Sequence, residues 1–295
     1  MSKKIFALGF FDGVHLGHQA LLKACVQLAQ AQNAIPAAIT FDRHPQALFS
    51  NTVPPLINTK EDRAMLLSRC GIEAVTVLPT AKDVMSTPWG QFLEDLVQNG
   101  AAGFVCGEDF RFGHKGEGTG EKLQQFCRQR GLLCQIIPEQ KVNGIRVSST
   151  HIRKLLEAGD VESAAYFLGH PHILSGEVMP GRQLGRTIGI PTANIPIPEG
   201  VIVPKCGVYA CFAEVDGQKY PAVTNIGSRP TVGGHQIRAE SWLLDFSGDL
   251  YGKKMTLEFH AFLRPEQKFA SLEALKSQIH ADATKTREIL SFLTF

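Results

Sequence analysis

The hydrophobic pattern of the first half alternates between short apolar runs and segments with helical spacing. Apolar runs of strand length occur at Ile5–Leu8, Ala37–Phe41, Ala74–Leu78, Phe104–Cys106 and Leu133–Ile137. Segments with helical spacing lie between them, at Gln19–Gln30, from Thr59 to Arg69, from Pro88 to Gln98 and at Glu121–Arg130. This alternation is typical of βαβ units, so we predict a mostly parallel, doubly wound sheet, a Rossmann-like α/β fold.

The ends of these helices carry recognisable sequence signals. Thr59 and Asp62 resemble a capping box, and Gly71 follows the end of the same segment. Gly131 follows the last helix of the series in the same way. Ser149 is placed to cap a further helix that runs to Leu156.

The pattern changes after Gly169, where helical spacing becomes scarce. Alternating or β-branched segments, separated by glycine and proline, occur at Gly207–Val215, Tyr220–Asn225, Ala239–Phe246 and Lys254–Phe262. They predict a compact antiparallel barrel or sandwich, followed by a helical tail at Leu272–Phe292. We place the boundary near Leu168–Pro171, which predicts domains of residues 1–168 and 169–295.

Composition narrows the class of protein. The 295 residues are enough for about two domains, and a net charge of +2 is too weak to indicate nucleic acid or an anionic membrane as a partner. We find no signal-peptide pattern and no apolar run of about 18 residues. The seven cysteines form no C-x-x-C pair, which favours a reducing cytoplasm. The sequence leaves open whether the protein is a monomer or a homo-oligomer.

A glycine-rich motif, Gly9-Phe10-Phe11-Asp12-Gly13-Val14-His15-Leu16-Gly17-His18, stands between the first strand and the first helix. Glycines let the backbone approach a phosphate, and a helix N-terminus offers free N–H groups. His15 and His18 are three residues apart and can both face a triphosphate, so we predict both as catalytic. The predicted nucleotide-binding residues here are Gly9, Phe11, Asp12, Gly13 and Gly17. The alternative is a glycine turn with two surface histidines.

Further segments fall at the same predicted edge of the sheet. Thr40-Phe41-Asp42-Arg43-His44-Pro45 and Gly107–Gly113 bring aromatic side chains that can stack on a flat ring, and Asp109 can bind a base or a ribose. Near the end of this half, Val147–Arg153 offers Ser148 and Ser149 at a helix N-terminus. Arg153 can reach a phosphate with two hydrogen bonds, so we predict it as a further catalytic residue. An ordinary helix cap is the alternative for this last segment.

The second half contains a basic, glycine-rich run from Gly181 to Asn194 that ends in Pro191-Thr192-Ala193-Asn194. The Thr192 hydroxyl and the Asn194 amide oxygen are hard ligands suited to Mg²⁺, so we predict them as a metal site. Arg182 and Arg186 can clamp phosphates, with Gly181 and Gly185 in the same flexible loop. A hairpin loop with a Pro-Thr turn is the alternative.

Taken together, these motifs resemble a known family. H-x-G-H with Val147–Arg153 resembles the nucleotidyltransferase superfamily with class I tRNA synthetase-like folds. The four segments of the first half look like the FMN adenylyltransferase module of prokaryotic bifunctional riboflavin kinase/FAD synthetases. In the second half, segments around Tyr209, Asn225, Glu240 and Arg264 come in the order found in riboflavin kinases.

The resemblance implies a six-stranded antiparallel barrel with a C-terminal helix, and two reactions that use ATP and Mg²⁺. Riboflavin and ATP would give FMN and ADP in the second domain, and FMN and ATP would give FAD and pyrophosphate in the first. It implies Glu240 as the catalytic carboxylate of the kinase, and Arg264 as a cofactor-binding residue. Many relatives have a histidine two residues after this glutamate, where this chain has Trp242.

Two other classes of protein stay open at this point. One is a single-activity nucleotidyltransferase with an accessory β-domain, which would give no reason for the Pro-Thr-Ala-Asn segment. The other is a non-catalytic flavin-binding or nucleic-acid-binding protein on a degraded enzyme fold.

Overall fold

The contacts within the chain divide it into two compact units. The computed structural model describes residues 2–44, 48, 53–181, 189–231 and 234–293. The first unit comprises residues 1–56 and 60–149, and the second comprises residues 57–59 and 150–295. The segment 150–168 therefore packs with the second unit, although it precedes the predicted boundary. The functional limits 1–168 and 169–295 stay a prediction.

A five-stranded parallel sheet with the strand order β3-β2-β1-β4-β5 forms the first unit. Its strands are β1 Lys4–Leu8, β2 Ile35–Phe41, β3 Ala74–Leu78, β4 Ala101–Gly107 and β5 Leu133–Ile137. Its helices are α1 Leu16–Ala31, α2 Lys60–Arg69, α3 Lys82–Met85, α4 Trp89–Gln98 and α5 Gly120–Arg130. Successive strands add to one side of β1 and then to the other. The predicted doubly wound fold is confirmed, and the direction changes between β1 and β4, where such folds bind ligands.

Burial of the strands explains why some apolar runs are continuous. The central strands β1, β2 and β4 are covered on both faces and are buried along most of their length. Edge strands β3 and β5 keep partly exposed residues. Leu93 of α4 and Leu123 of α5 pack with Phe104 of β4 in one buried cluster.

Two local features of this unit differ from the prediction. Helix α1 begins at Leu16 rather than at Gln19, because His15 provides its N-cap. A short hairpin of β6 Lys141–Val142 and β7 Ile145–Arg146 was not predicted. Its turn is Asn143-Gly144, with both residues at positive φ, which is the strongest short signal for a two-residue hairpin.

An antiparallel six-stranded sheet, in the order β8-β13-β10-β11-β12-β9, forms the second unit. Its strands are β8 His172–Glu177, β9 Ala193–Pro196, β10 Gly207–Val215, β11 Gln218–Thr231, β12 Gly234–Leu243 and β13 Lys254–Arg264. Its helices are α6 Ser149–Ala158, α7 Val161–Leu168 and the C-terminal α8 Leu272–Ser291. The end strands β8 and β9 contact each other so closely that a Cβ atom at Gly176 would collide with Ile195. The sheet is thus a nearly closed barrel with a C-terminal helix, as predicted.

The described part of the chain has no helix with the length and apolar character that crossing a bilayer requires.

Replacing Leu93 by alanine tests the packing of the first unit. Leu93 is 0% exposed, so we expect Leu93→Ala to lower the free energy of unfolding by about 2–5 kcal/mol. Val53→Ala is the control in the same unit, since Val53 is 39% exposed and should change stability by less than about 0.5 kcal/mol. Denaturant titration followed by circular dichroism measures both. Equal unfolding midpoints for the two variants would contradict the assigned core.

Candidate active sites

The turn after β1 holds two non-glycine residues in the left-handed region. Phe11 has φ +58° and Val14 has φ +41°, on either side of Gly13 at φ +82°. Each such non-glycine residue costs about 1–2 kcal/mol, and such conformations cluster at functional sites. Both side chains are fully buried, so packing holds them in place. A Cβ atom at Gly9 would lie 2.8 Å from the Phe11 ring, which explains the glycine there.

The two predicted histidines form one stack at the start of α1. Their ring centroids are 3.6 Å apart and their planes differ by 11°. His15 is the N-cap, and its Nδ1 accepts a hydrogen bond from the main-chain N–H of His18 at 3.3 Å. In neutral His15 the proton must therefore be on Nε2, which can donate to a ligand.

His18 is held in its neutral form. Burial lowers the pKa of its imidazole well below the ordinary value, and the neighbouring His15 and Arg63 lower the pKa further. Its buried Nδ1 has no hydrogen-bond partner among the residues that the structure describes. At neutral pH, His18 therefore carries one proton, which is suited to donating to a phosphate oxygen.

The structure brings Ser149 of the second predicted motif to the same turn. Ser149 Oγ donates a hydrogen bond of 3.0 Å to the main-chain oxygen of Asp12, across 137 positions of sequence. Asp12 is buried, and Ser148 is half-buried beside Ser149 in the chain. Arg153 lies one turn further along α6 and is largely buried.

Asp109 lies just after β4 and is exposed. It forms an ion pair of 2.6 Å with Arg146, which also pairs with Glu139 at 2.9 Å. Exposed ion pairs contribute about 0–1 kcal/mol, so a ligand can replace this one at little cost. The assignment of Asp109 to a base or ribose stays a prediction.

A cavity of about 810 Å³ opens at the carboxyl ends of the first four strands. The two predicted aromatic segments contribute to its lining, which includes Phe41, Phe92, Phe110 and Phe112. The Phe110 and Phe112 rings are nearly parallel, with centroids 6.0 Å apart. Arg111 and Lys115 also line the cavity. Its walls thus suit a flat apolar ring system with an anionic group attached.

In the second unit, the strand register brings two separate motifs together. Glu240 of β12 lies directly opposite Asn194 of β9 on one side and Asn225 of β11 on the other. Directly opposed residues share a face of the sheet, so these three polar side chains form a row. Trp242 is two residues further along β12 and packs edge-on against His280 of α8, with centroids 5.5 Å apart.

Asn194 has the features of a ligand residue. Its side chain is buried, and its Nδ2 donates to the main-chain oxygen of Thr192 at 3.4 Å. Its Oδ1 is buried and accepts no hydrogen bond from any described residue. A Cβ atom at Gly181 would lie 2.6 Å from Asn194 Nδ2, so glycine leaves room at this point. The predicted phosphate-binding residues Arg182, Gly185 and Arg186 lie outside the described residues.

A second cavity, of about 310 Å³, adjoins the Pro-Thr-Ala-Asn segment. Thr192 lines it together with Ser241, Phe246 and Tyr251. The main chain leads from this cavity at Thr192 to the polar row at Asn194.

Arg264, predicted to bind a cofactor, contacts the C-terminal helix. Its guanidinium donates to both carboxylate oxygens of Asp282 at 2.8–3.1 Å and lies over the Phe269 ring at 5.7 Å. Asp282 also accepts a hydrogen bond from Gln278. This contact holds α8 to the end of β13, and a binding role for Arg264 stays a prediction.

Sequence reasoning missed two polar residues close to these sites. Arg63 of α2 is fully buried and donates to the main-chain oxygens of Phe10 and Phe41 at 3.1 and 2.6 Å. Asn225 lies opposite Glu240 and donates to Glu266 at 3.0 Å. An arginine in a polar helix resembles a surface residue, and strand register is not visible in one sequence.

Comparison with known proteins decides the family. A bifunctional riboflavin kinase/FMN adenylyltransferase of Listeria monocytogenes is 35% identical over 98% of this chain and 93% of its own length. One of Escherichia coli K12 is 36% identical over 96% and 92%. The FAD synthetase family model matches residues 1–151, and the riboflavin kinase family model matches residues 168–290. This chain belongs to the bifunctional riboflavin kinase/FMN adenylyltransferase family.

Membership confirms the predicted enzyme class, and the domain order agrees with the motifs. A single-activity nucleotidyltransferase is excluded, since the second half matches riboflavin kinase. A solved structure from Streptococcus pneumoniae, described as a macrolide-efflux protein, has a TM-score of 0.86. It is 30% identical and covers 97% of this chain and 94% of its own. This chain and that protein therefore share one fold.

Removing the buried partner of Arg264 tests how this flavokinase unit is held together. Breaking a buried ion pair leaves a charge uncompensated, so Asp282→Asn should lower the free energy of unfolding by about 3 kcal/mol. The control is Asp245→Asn, which breaks the exposed 2.7 Å pair between Asp245 and Arg287 of the same helix and should cost less than about 1 kcal/mol. Urea titration compares the two variants. Equal losses would show that Asp282 is no more important than a surface pair.

Proposed function

We propose that the two units catalyse successive steps of flavin cofactor synthesis. The second unit transfers the γ-phosphoryl group of ATP to riboflavin, which gives FMN and ADP. The first unit transfers the adenylyl group of a second ATP to FMN, which gives FAD and pyrophosphate. The observation that supports the proposal is the polar row on β9, β12 and β11, because it places side by side Asn194 and Glu240, the two residues that we assign to the kinase step.

In the kinase step, the Glu240 carboxylate acts as the general base. It takes the proton of the ribityl 5′-hydroxyl while that oxygen attacks the γ-phosphorus and ADP leaves. A positioned base of this kind contributes about 10²–10⁴-fold to the rate. Glu240 is half-buried on β12, opposite Asn194 and Asn225.

The donor set near Glu240 fits Mg²⁺. The Oδ1 of Asn194, which is buried and has no hydrogen-bond partner among the described residues, and the hydroxyl of Thr192 are hard oxygen ligands. Mg²⁺ takes few protein groups and keeps several waters. When bound, Mg²⁺ neutralises charge on the ATP phosphates. We assign Arg182 and Arg186 to those phosphates, together with Gly181 and Gly185, and the 310 Å³ cavity to the adenosine end.

In the adenylyl transfer step, the protein positions two anions and stabilises developing charge. The FMN phosphate attacks the α-phosphorus of ATP and pyrophosphate leaves, with no covalent enzyme intermediate. His15 Nε2–H and neutral His18 donate to the phosphate oxygens at the N-terminus of α1. Other residues that we assign to the triphosphate are Gly9, Asp12, Gly13, Gly17, Ser148, Ser149 and Arg153. The 810 Å³ cavity takes the isoalloxazine ring, and Phe11 and Asp109 complete the site.

Small molecules account for the partners in this proposal. Riboflavin, FMN and ATP are the substrates, and neither nucleic acid nor a membrane is required for either reaction. We propose a cytoplasmic location, where both flavin and ATP are available.

Time-resolved product analysis tests the two-step order. With riboflavin, ATP and Mg²⁺, we expect FMN to appear first and FAD to follow, as resolved by chromatography. FMN without FAD would contradict the assignment of the first unit to FMN adenylylation.

Single substitutions should separate the two reactions. His18→Ala should stop FAD formation and leave FMN formation unchanged, since His18 belongs to the first unit. Glu240→Gln should stop FMN formation and leave FAD formation from supplied FMN unchanged. The activity that survives in each variant is the control for folding. Loss of both activities in either folded variant would contradict separate sites.

The metal dependence of the kinase step should follow Asn194. In Asn194→Ala, we expect the Mg²⁺ concentration for half-maximal FMN formation to rise by about tenfold or more, because one oxygen ligand is lost. The Mg²⁺ dependence of FAD formation from FMN, measured on the same protein, should not change. An unchanged Mg²⁺ requirement for FMN formation would remove Asn194 from the metal site.

A further inference from the structure

A buried arginine lies behind the adenylyl transfer turn. Arg63 is on α2, outside every motif that the sequence singles out, and it is 0% exposed. Taking a charge out of water is costly, and burial lowers the pKa of Arg63. Three carboxylates raise the pKa of Arg63 and so favour its charged form: Asp12, Asp42 and Glu61. A residue held at this cost invites a functional explanation.

The hydrogen bonds of Arg63 join the ends of two strands. Nη1 donates to the main-chain oxygen of Phe10 at 3.1 Å, and Nη2 donates to that of Phe41 at 2.6 Å. Phe10 follows β1, and Phe41 is the last residue of β2. One planar guanidinium therefore fixes the spacing of the two carbonyls, which an ammonium group cannot do with the same geometry.

Thr40 and Arg63 together make three contacts with Phe10, just before the strained backbone begins. Thr40 Oγ1 donates to the same Phe10 oxygen at 2.7 Å, and the Arg63 guanidinium lies 4.5 Å from the centroid of the Phe10 ring. The next residue is Phe11, at φ +58°. The position of Phe10 therefore decides where the turn with His15 and His18 starts.

The charge of Arg63 also acts on that turn. The charged and titratable groups that act on His18 are His15, on the same turn, and Arg63, on α2. Both lower the pKa of His18, and the carboxylate of the turn, Asp12, acts on Arg63.

We propose that Arg63 is a positioning residue for adenylyl transfer: it fixes the strand ends at Phe10 and Phe41, and its buried positive charge acts on the His15–His18 turn. This inference rests on the proposed use of that turn for adenylyl transfer. Two effects follow, one geometric and one electrostatic. The geometric effect keeps the stacked imidazoles in line with the triphosphate. The electrostatic effect adds to burial, which is the main cause, in favouring the neutral form of His18, so that it enters the reaction as a hydrogen-bond donor rather than as a cation.

Three substitutions separate the two effects. Arg63→Met removes the hydrogen bonds and the charge, Arg63→Lys keeps the charge but loses the two-pronged geometry, and Thr40→Val removes only the neutral donor to Phe10. The measurement is kcat/KM for ATP in FAD formation from supplied FMN, between pH 5 and pH 9. FMN formation by the same protein and thermal unfolding monitor folding.

We expect kcat/KM to fall about 100-fold in Arg63→Met, and about tenfold in Arg63→Lys and in Thr40→Val, because small misplacements of catalytic groups have effects of this size. The pH dependence of kcat/KM tests the electrostatic effect of Arg63 on His18. Loss of a nearby positive charge raises the pKa of His18, so His18 becomes protonated at higher pH. The acid limb of the profile should therefore move to higher pH in Arg63→Met and stay in place in Arg63→Lys and Thr40→Val.

NMR titration measures the pKa of the His18 ring directly, without turnover. The His18→Ala variant identifies the His18 signals. A higher His18 pKa in Arg63→Met than in Arg63→Lys supports the proposal. A kcat/KM for Arg63→Met within twofold of the parent value overturns the proposal. An equal loss of kcat/KM in all three variants, with the acid limb at the same pH in each, also overturns it, because that result would indicate a purely structural role.

Two further outcomes have a defined meaning. If Arg63→Met does not fold, Arg63→Lys and Thr40→Val decide the geometric part: values of kcat/KM within twofold of the parent in both overturn it. If His18→Ala still makes FAD at the parent rate, the proposed use of the turn fails, whatever the Arg63 variants show.

Discussion

The left-handed backbone at Phe11 and Val14 is the constraint on which the adenylyl transfer site depends. Neither residue adopts that conformation freely, so the surrounding contacts must enforce it. The Phe11 ring fills the space that a side chain at residue 9 would need, and Ser149 holds the turn from the far end of the domain. The turn is therefore a product of the whole unit rather than of its own ten residues.

The sequence predicts the strands and helices correctly where the burial of a segment gives it a clear hydrophobic pattern. Parallel strands buried on both faces appear as continuous apolar runs, and glycines such as Gly131 end helices in the left-handed conformation. Short elements escaped prediction because they have little pattern of their own. β9 has four residues between prolines and turns, and β8 contains serine and glycine. Only pairing with longer neighbours makes them strands.

The sites were predictable as motifs but not as geometry. The spacing of His15 and His18 already places them on one turn of helix, but their stacking follows from the cap that His15 makes. Arg63 has no sequence signal, since its role comes from two carbonyls on other strands. The partnership of Glu240 with Asn194 depends on register, which a single sequence does not contain.

The pairing of β9 with β12 limits where this chain can accept an insertion or a deletion. All four residues of β9 are paired, from Ala193 opposite Ser241 to Pro196 opposite Arg238. Because side chains alternate between faces, adding or removing one residue within this strand would turn the Asn194 side chain to the opposite face from Glu240. We therefore expect insertions and deletions in this region to preserve kinase activity only where they fall before Pro191 or after Pro196. The register of one short strand thus determines which length changes the chain tolerates.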